Sequence, residues 1–195
     1  MIRRALVAAV LLVCATGCAT KVTRLGTEDV KDLSGAWNDT DSRLVSEAMV
    51  GDMLEGNWLR ERSGSARPAV IVGEIRNLSH EHINLVTFVS DIERAMINSG
   101  RVEFVASKTE RQEIREERKD QDLHAAEQTR KAMGLERGAD YVLQGNVSTI
   151  VDAAGSTQVR YYQTDLTLIS LKDNRKVWVG QRKIKKLVEG SRLRP

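Results

Sequence analysis

The chain has 195 residues, 41% of them hydrophobic and 29% charged, with three histidines, two cysteines and a formal net charge of +3. Two of the excess cations, Arg3 and Arg4, stand in a removable N-terminal segment, so the charge falls to about +1 without it and no global field favours nucleic acid. About 160 residues then remain, enough for one domain built on a single hydrophobic core.

Met1 to Arg4 is a short positive segment, and Ala5 to Val13, ALVAAVLLV, is continuously apolar. A run of about ten apolar residues suits the core of an export signal, whereas a membrane-spanning helix needs about twenty. Cleavage needs small residues at the cut, and Ala15-Thr16-Gly17 supplies them in front of Cys18. Cys14 follows the bulky Leu12-Val13 and lies inside the signal. The stretch A-T-G-C resembles the lipobox of bacterial lipoproteins, with Ala15 where Leu is usual. That resemblance implies that residues 1–17 are removed, that Cys18 is diacylated on its thiol and acylated on its new amino terminus, and that no free thiol remains. A disulfide framework, a cysteine nucleophile and a cysteine-ligated zinc are then excluded. Ala19 rather than Asp follows the cysteine, which by resemblance to enterobacterial sorting points to the outer membrane.

Residues 18–33 are rich in charge and threonine without apolar periodicity, and read as a flexible tether. Sixteen residues reach about 55 Å when extended and span ~20–24 Å as a coil. Residues 34–195 are expected to form one α+β domain.

In that domain Asn38, Asp39, Thr40 and Asp41 are candidate caps for a helix marked by Leu44, Val45, Ala48, Met49 and Met53 at helical spacing, weakened at Gly56-Asn57. Trp37, just ahead of it, reads as an anchor for the N-terminal segment. Ala69 to Arg76 reads as an interior strand and Asn77 to His82 as a loop. Asn84 to Ser99 is a helix with Leu85, Phe88, Val89, Ile92 and Met96 in one stripe, ended by Gly100. Val102 to Ala106 is a short strand. Ser107 and Glu110 have the spacing of a capping box for a highly charged helix from Lys108 to about Lys119, and Leu123 to Met133 is expected to form a further helix. Asp140 to Ile150, Gln158 to Leu171 and Lys176 to Lys185 read as strands of an antiparallel meander. Tyr162, Leu166 and Leu168 share one face of the second of these. Helices mixed with a terminal meander predict a small mixed or antiparallel sheet of four to five strands flanked by helices, not a doubly wound parallel sheet.

Chemistry is sparse. His80-x-His82 is a two-residue spacing that would suit a metal, but no third or fourth ligand is evident nearby, and polar loop duty accounts for the pair. Asp39-x-Asp41 lacks the Gly and closing Glu of a calcium loop, and helix capping explains the carboxylates. Nucleophile-elbow and phosphate-loop signatures are missing. The residues call for no cofactor, no metal and no catalytic group.

The stretches GAWNDTDSRLVSEAM, RPAVIVGEIRNLSHEHIN, MINSGRVEFV, GADYVLQGNV and DLTLISLKDNRKVWVGQRKI together resemble the LpoB family of penicillin-binding-protein activators across Gly35 to Ile184. The resemblance implies a fold similar to the N-terminal domain of TolB, a lipid anchor in the outer membrane with the domain in the periplasm, and a non-enzymatic role. The partner it implies is a class A penicillin-binding protein, engaged on a non-catalytic domain by a monomeric activator. The tether is shorter than that of enterobacterial members, which leaves open a different envelope arrangement, an inner-membrane lipid or another partner. Because loops carry function on rigid scaffolds, Asn77, Ser79 and His82, with the cap cluster Asn38, Asp39 and Asp41, are the candidate partner-binding residues. Turn and cap duty is the competing reading. A second function class is a component of an outer-membrane secretion or assembly machine resembling the lipoprotein CsgG, which would require hairpins of about nine to eleven alternating residues per strand. Gln158 to Leu171 alternates over that length but sets Arg160 on the face of Tyr162 and Leu166.

Overall fold

The computed structural model describes residues 21–62 and 66–190. The export signal and Cys18 lie outside them. Residues 21–30 form a unit of their own, with one turn in which Asp29 donates its N–H to Gly26 O and accepts from the Gly26 N–H on its carboxylate.

The unit that starts at Lys31 opens with helix α1, Asp39–Glu55. Asn38 and Asp41 make a reciprocal capping box: each side chain accepts the other's backbone N–H at 3.0 Å. Two acids in the first turn complement the helix dipole. Val45, Met49 and Met53 recur four apart, as do Val50 and Leu54, and all five are buried. The short helix α2, Asn57–Arg60, carries Trp58, whose indole donates to Met53 O at 2.6 Å and so closes the end of α1.

Strand β1, Ala69–Asn77, is followed by α3, Leu85–Ser99. Phe88, Ile92 and Met96, four apart, are fully buried, each contributing about 1.5–3 kcal/mol by its burial. Gly100 ends the helix with φ 62, the left-handed cap that its sequence position predicts. Then come β2, Glu103–Phe104, and α4, Lys108–His124, whose Ser107–Glu110 capping box forms as the spacing demands. The meander follows: β3, Tyr141–Ala154, β4, Thr157–Ser170, and β5, Lys176–Glu189.

The five strands form one mixed sheet in the order β2-β1-β3-β4-β5. β2, β1 and β3 are parallel, with Val70 opposite Tyr141 and Phe104, while β3, β4 and β5 are antiparallel, with Leu143 opposite Leu168 and Leu168 opposite Trp178. The fold is α+β, as the element pattern predicts. Helices α1 and α3 pack on each other; α1 also meets β5, and α3 meets β1 and β2. The core lies between these helices and Val70, Val72, Leu143, Leu166 and Leu168 of the sheet. Alternation along β4 buries Tyr162, Thr164, Leu166, Leu168 and Ser170 on one face. Among the described residues, no helix is long and apolar enough to cross a membrane.

Three boundaries depart from the sequence reading. No helix covers Leu123 to Met133: α4 runs on to His124 and the chain then turns, Thr129 donating to Ala126 O. Leu123 is 79% exposed and Met133 45%, so the apolar residues at the two ends of that stretch find little to pack on, and helices of that length depend on such packing. Paired residues in β2 shrink to two because the chain beyond them leaves β1 to enter the Ser107 cap. β3 runs to Ala154 rather than Ile150 and β5 to Glu189 rather than Lys185, since a tight turn at Gly155 (φ 61) and Ser156 lets the strands stay paired to their tips.

Gly145 lies opposite Leu166, and a Cβ there would overlap Asp165 O and the Leu166 side chain. Gly145→Ala is therefore expected to destabilise the domain by about 2 kcal/mol, read as a lower urea midpoint with an unchanged slope.

Candidate functional site

Two polar clusters meet at the entry to α1. The first is built on Lys186, which β5 turns toward the helices and which is only 12% exposed in its side chain. Its ammonium donates to Asp41 Oδ2 at 2.6 Å, to Asp32 Oδ1 at 2.8 Å and to Ala36 O at 3.2 Å. Asn38 donates its side-chain amide to the same Asp32 oxygen. Burial opposes the Lys186 charge, but the hydrogen bonds to Asp32 and Asp41 prevail and hold the ammonium above its ordinary range. The bond from Lys186 draws the Asp32 carboxyl below its own.

The second cluster is built on Glu81. Arg160 Nη1 donates to Glu81 Oε1 at 2.8 Å, the Tyr162 hydroxyl lies 2.8 Å from the carboxylate, and the Trp37 backbone N–H donates to Oε2 at 3.3 Å. Both charged side chains are about one-fifth exposed, at 19% for Arg160 and 20% for Glu81. Burial, then the bond to Glu81, raises the Tyr162 hydroxyl far above its ordinary value. It stays neutral and serves as a donor. Trp37 sits between the clusters, its ring edge-on to Phe88 at 6.2 Å and to Tyr162 at 5.6 Å, its indole donating to Ser42 Oγ at 2.7 Å. The anchoring role read from its position is what the geometry shows.

The loop that delivers Glu81 is shaped by its own side chains. Asn77 donates to Glu81 O at 2.7 Å and accepts the Ser79 N–H at 2.9 Å; Ser79 Oγ in turn accepts the Glu81 N–H at 3.2 Å. Of the candidate residues, Asn38, Asp41, Asn77 and Ser79 thus enter hydrogen bonds that build the junction, while Asp39 and His82 are exposed on its surface. Glu81, Lys186, Tyr162 and Asp32 are the participants that the sequence reading missed. A signal for one of them existed: Arg160 falls on the buried face of β4, and a charge there requires a countercharge.

Among the described residues, no three His, Cys, Asp or Glu side chains are grouped to hold a metal ion. The shifted groups are spent on one another, which makes the junction a clasp.

A family model described as peptidoglycan-synthase activator LpoB matches residues 41–184. Among solved structures, the LpoB C-terminal domain from Salmonella enterica is similar at 16% identity and TM-score 0.43, over 75% of this chain and 99% of that one. The LpoB C-terminal domain from Escherichia coli is similar at 18% identity and TM-score 0.44, over 75% and 99%. Lipoprotein GNA1162 from Neisseria meningitidis is similar at 16% identity and TM-score 0.40, over 62% and 83%. No curated protein matches the sequence.

The clasp has a pH signature. The raised Lys186 pKa gives stability that is present below its unfolded value, near 10.5, and lost above it; the lowered Asp32 pKa gives stability present above about 3.8 and lost below. Lys186→Met is expected to cost about 1–2 kcal/mol at pH 7, with the deficit against the parent steady between roughly pH 5 and 9 and shrinking below pH 4. Urea titrations at each pH measure it. Glu81→Ala, which strands Arg160 and Tyr162, is expected to cost about 2 kcal/mol or more in the same assay.

Proposed function

The chain belongs to the peptidoglycan-synthase activator LpoB family, and on that premise we propose that it is a lipid-anchored periplasmic regulator that binds a class A penicillin-binding protein and raises its glycan polymerisation. The observation that carries this reading is the match over residues 41–184, which runs from the first turn of α1 to well into β5 and so takes in all five strands of the sheet. The signal and A-T-G-C cleavage site support an anchor at Cys18 in the outer membrane; residues 18–33 serve as a tether whose end docks on the domain through Asp32, and residues 34–195 form a monomeric domain.

An activator of this kind works by contact, without chemistry of its own. It needs a rigid surface presented to a non-catalytic domain of the synthase. The clasp supplies rigidity at the entry to α1. Asp39 and His82 are exposed there, and with the loop and cap residues Asn38, Asp41, Asn77 and Ser79 behind them they form the surface we assign to the partner.

The mature protein is expected to bind a class A synthase from the same cell and to increase its rate of glycan polymerisation in a lipid II assay. An Asp39→Lys, His82→Glu double variant, at two exposed positions, is expected to weaken binding at least tenfold while costing only about 0.5–1 kcal/mol of stability through the charge reversal at the start of α1. No binding at high micromolar concentration removes the synthase reading; unchanged binding by the double variant removes this surface. Radiolabelled palmitate is expected to mark the parent and not Cys18→Ser.

A further inference from the structure

An open groove of about 580 Å³ runs along the free edge of β2, walled by α4 and by residues 135–137. β2 is the last strand on its side of the sheet. Glu103 and Val105 direct their N–H groups inward, to Pro68 O at 2.8 Å and Val70 O at 2.9 Å. Strand alternation then turns the N–H and C=O of Phe104 outward, toward the groove. Its apolar walls include Ile97, Ile114 and Leu135, which are 55%, 42% and 80% exposed.

The rim is cationic. Glu136 is held by Arg115 at 2.7 Å and Arg118 at 3.1 Å, and Glu103 by Arg137 at 3.1 Å, so both carboxylates of the groove are already engaged. Four arginines, Arg67, Arg111, Arg118 and Arg137, face two carboxylates on this lining. Arg67 donates to Gly100 O at a long 3.4 Å, and Arg111, whose charge also acts on Glu136, has its Nε buried with no hydrogen-bond partner. An edge amide turned to the groove, an apolar hollow and an excess of guanidinium groups together describe one kind of guest.

We propose that this groove receives an extended segment of another protein, which adds a strand to β2 through the Phe104 amide. One apolar side chain of the guest sits among Ile97, Ile114 and Leu135, and a neighbouring carboxylate meets Arg67 and Arg111. Main-chain bonds supply affinity in such an arrangement, and the side-chain hollow and charges supply selectivity. The excess of arginine over carboxylate on the lining selects an acidic guest segment from a partner protein, whether or not that partner is the synthase.

The test uses the mature protein in detergent and a panel of labelled octapeptides with a central Leu or Phe flanked by Asp, Asn or Lys, read by fluorescence anisotropy. Asp-flanked peptides are expected to bind at least tenfold more tightly than Lys-flanked ones. N-methylation of alternate backbone amides in the best peptide is expected to cost at least tenfold, a control that leaves the protein untouched. Arg111→Glu is expected to abolish or reverse the charge preference, and Leu135→Asp, at an exposed position, to weaken all peptides at least tenfold with the fold intact by circular dichroism. The proposal is overturned if no Asp-flanked peptide binds below 1 mM or if N-methylated peptides bind equally well. It is overturned too if dodecanoate occupies the groove while peptide sequence makes no difference, since that would mark a site for amphiphiles.

Discussion

Glu81 is a carboxylate placed where water is scarce, and the architecture around it depends on how that charge is satisfied. It reaches Arg160 and Tyr162 on the inner face of β4 and the backbone of Trp37 ahead of α1, three partners distant in sequence. Arg160 would otherwise be a cation facing the packed side of a sheet, and Glu81 an anion on a loop with no reason to fold inward. Paired, they offset each other's desolvation, and the hydrogen bonds with Tyr162 and Trp37 use the remaining acceptor capacity. A buried ion pair is poor evidence of net stabilisation, but it fixes register strongly, because any slip of β4 by one residue would move Arg160 to the opposite face.

From that fixed point the rest of the junction follows. Holding Trp37 sets the approach of the chain to Asn38, the capping box then starts α1, and Lys186 clamps the cap from β5 through Asp41 and Asp32. Helix α1 thereby lies across the sheet at the angle that lets Met49 and Met53 meet the core that Phe88, Ile92 and Met96 approach from α3. Polar bonds choose the arrangement here, and apolar burial stabilises it.

Local signals were legible in the sequence because they are local. Asn38 with Asp41, Ser107 with Glu110, and Gly100 after a stripe ending at Met96 each specify a helix end within a few residues, and all three ends form where the residues place them. Period-two alternation marked the inner face of β4 in the same way. What stayed hidden depends on sequence separation. Glu81 and Arg160 are 79 apart and Asp41 and Lys186 145 apart, and no local pattern announces such a pair. The helix expected over Leu123 to Met133 failed for the converse reason: its end residues Leu123 and Met133 are exposed, with no face to pack on. Asn77 and Ser79 read from sequence as candidate partner-binding residues, with turn duty the competing reading; their side chains brace the loop that presents Glu81, a use that composition cannot separate from recognition.

The two edges of the sheet are treated differently, and the difference bears on function. β5, at one edge, is 14 residues long and would be a template for unwanted pairing. It carries exposed Lys176, Lys183 and Lys185, side chains that oppose stacking of one copy on another. β2, at the other edge, is two residues long, which by itself would be protection enough. Yet this short edge is the one bordered by an apolar hollow and by more arginines than carboxylates. A fold selected only against edge-to-edge pairing would blunt both edges alike. Guarding the long edge while leaving the short one open is the pattern expected if the groove beside β2 takes the guest proposed above, with recognition resting on main-chain bonds that a handful of residues can make.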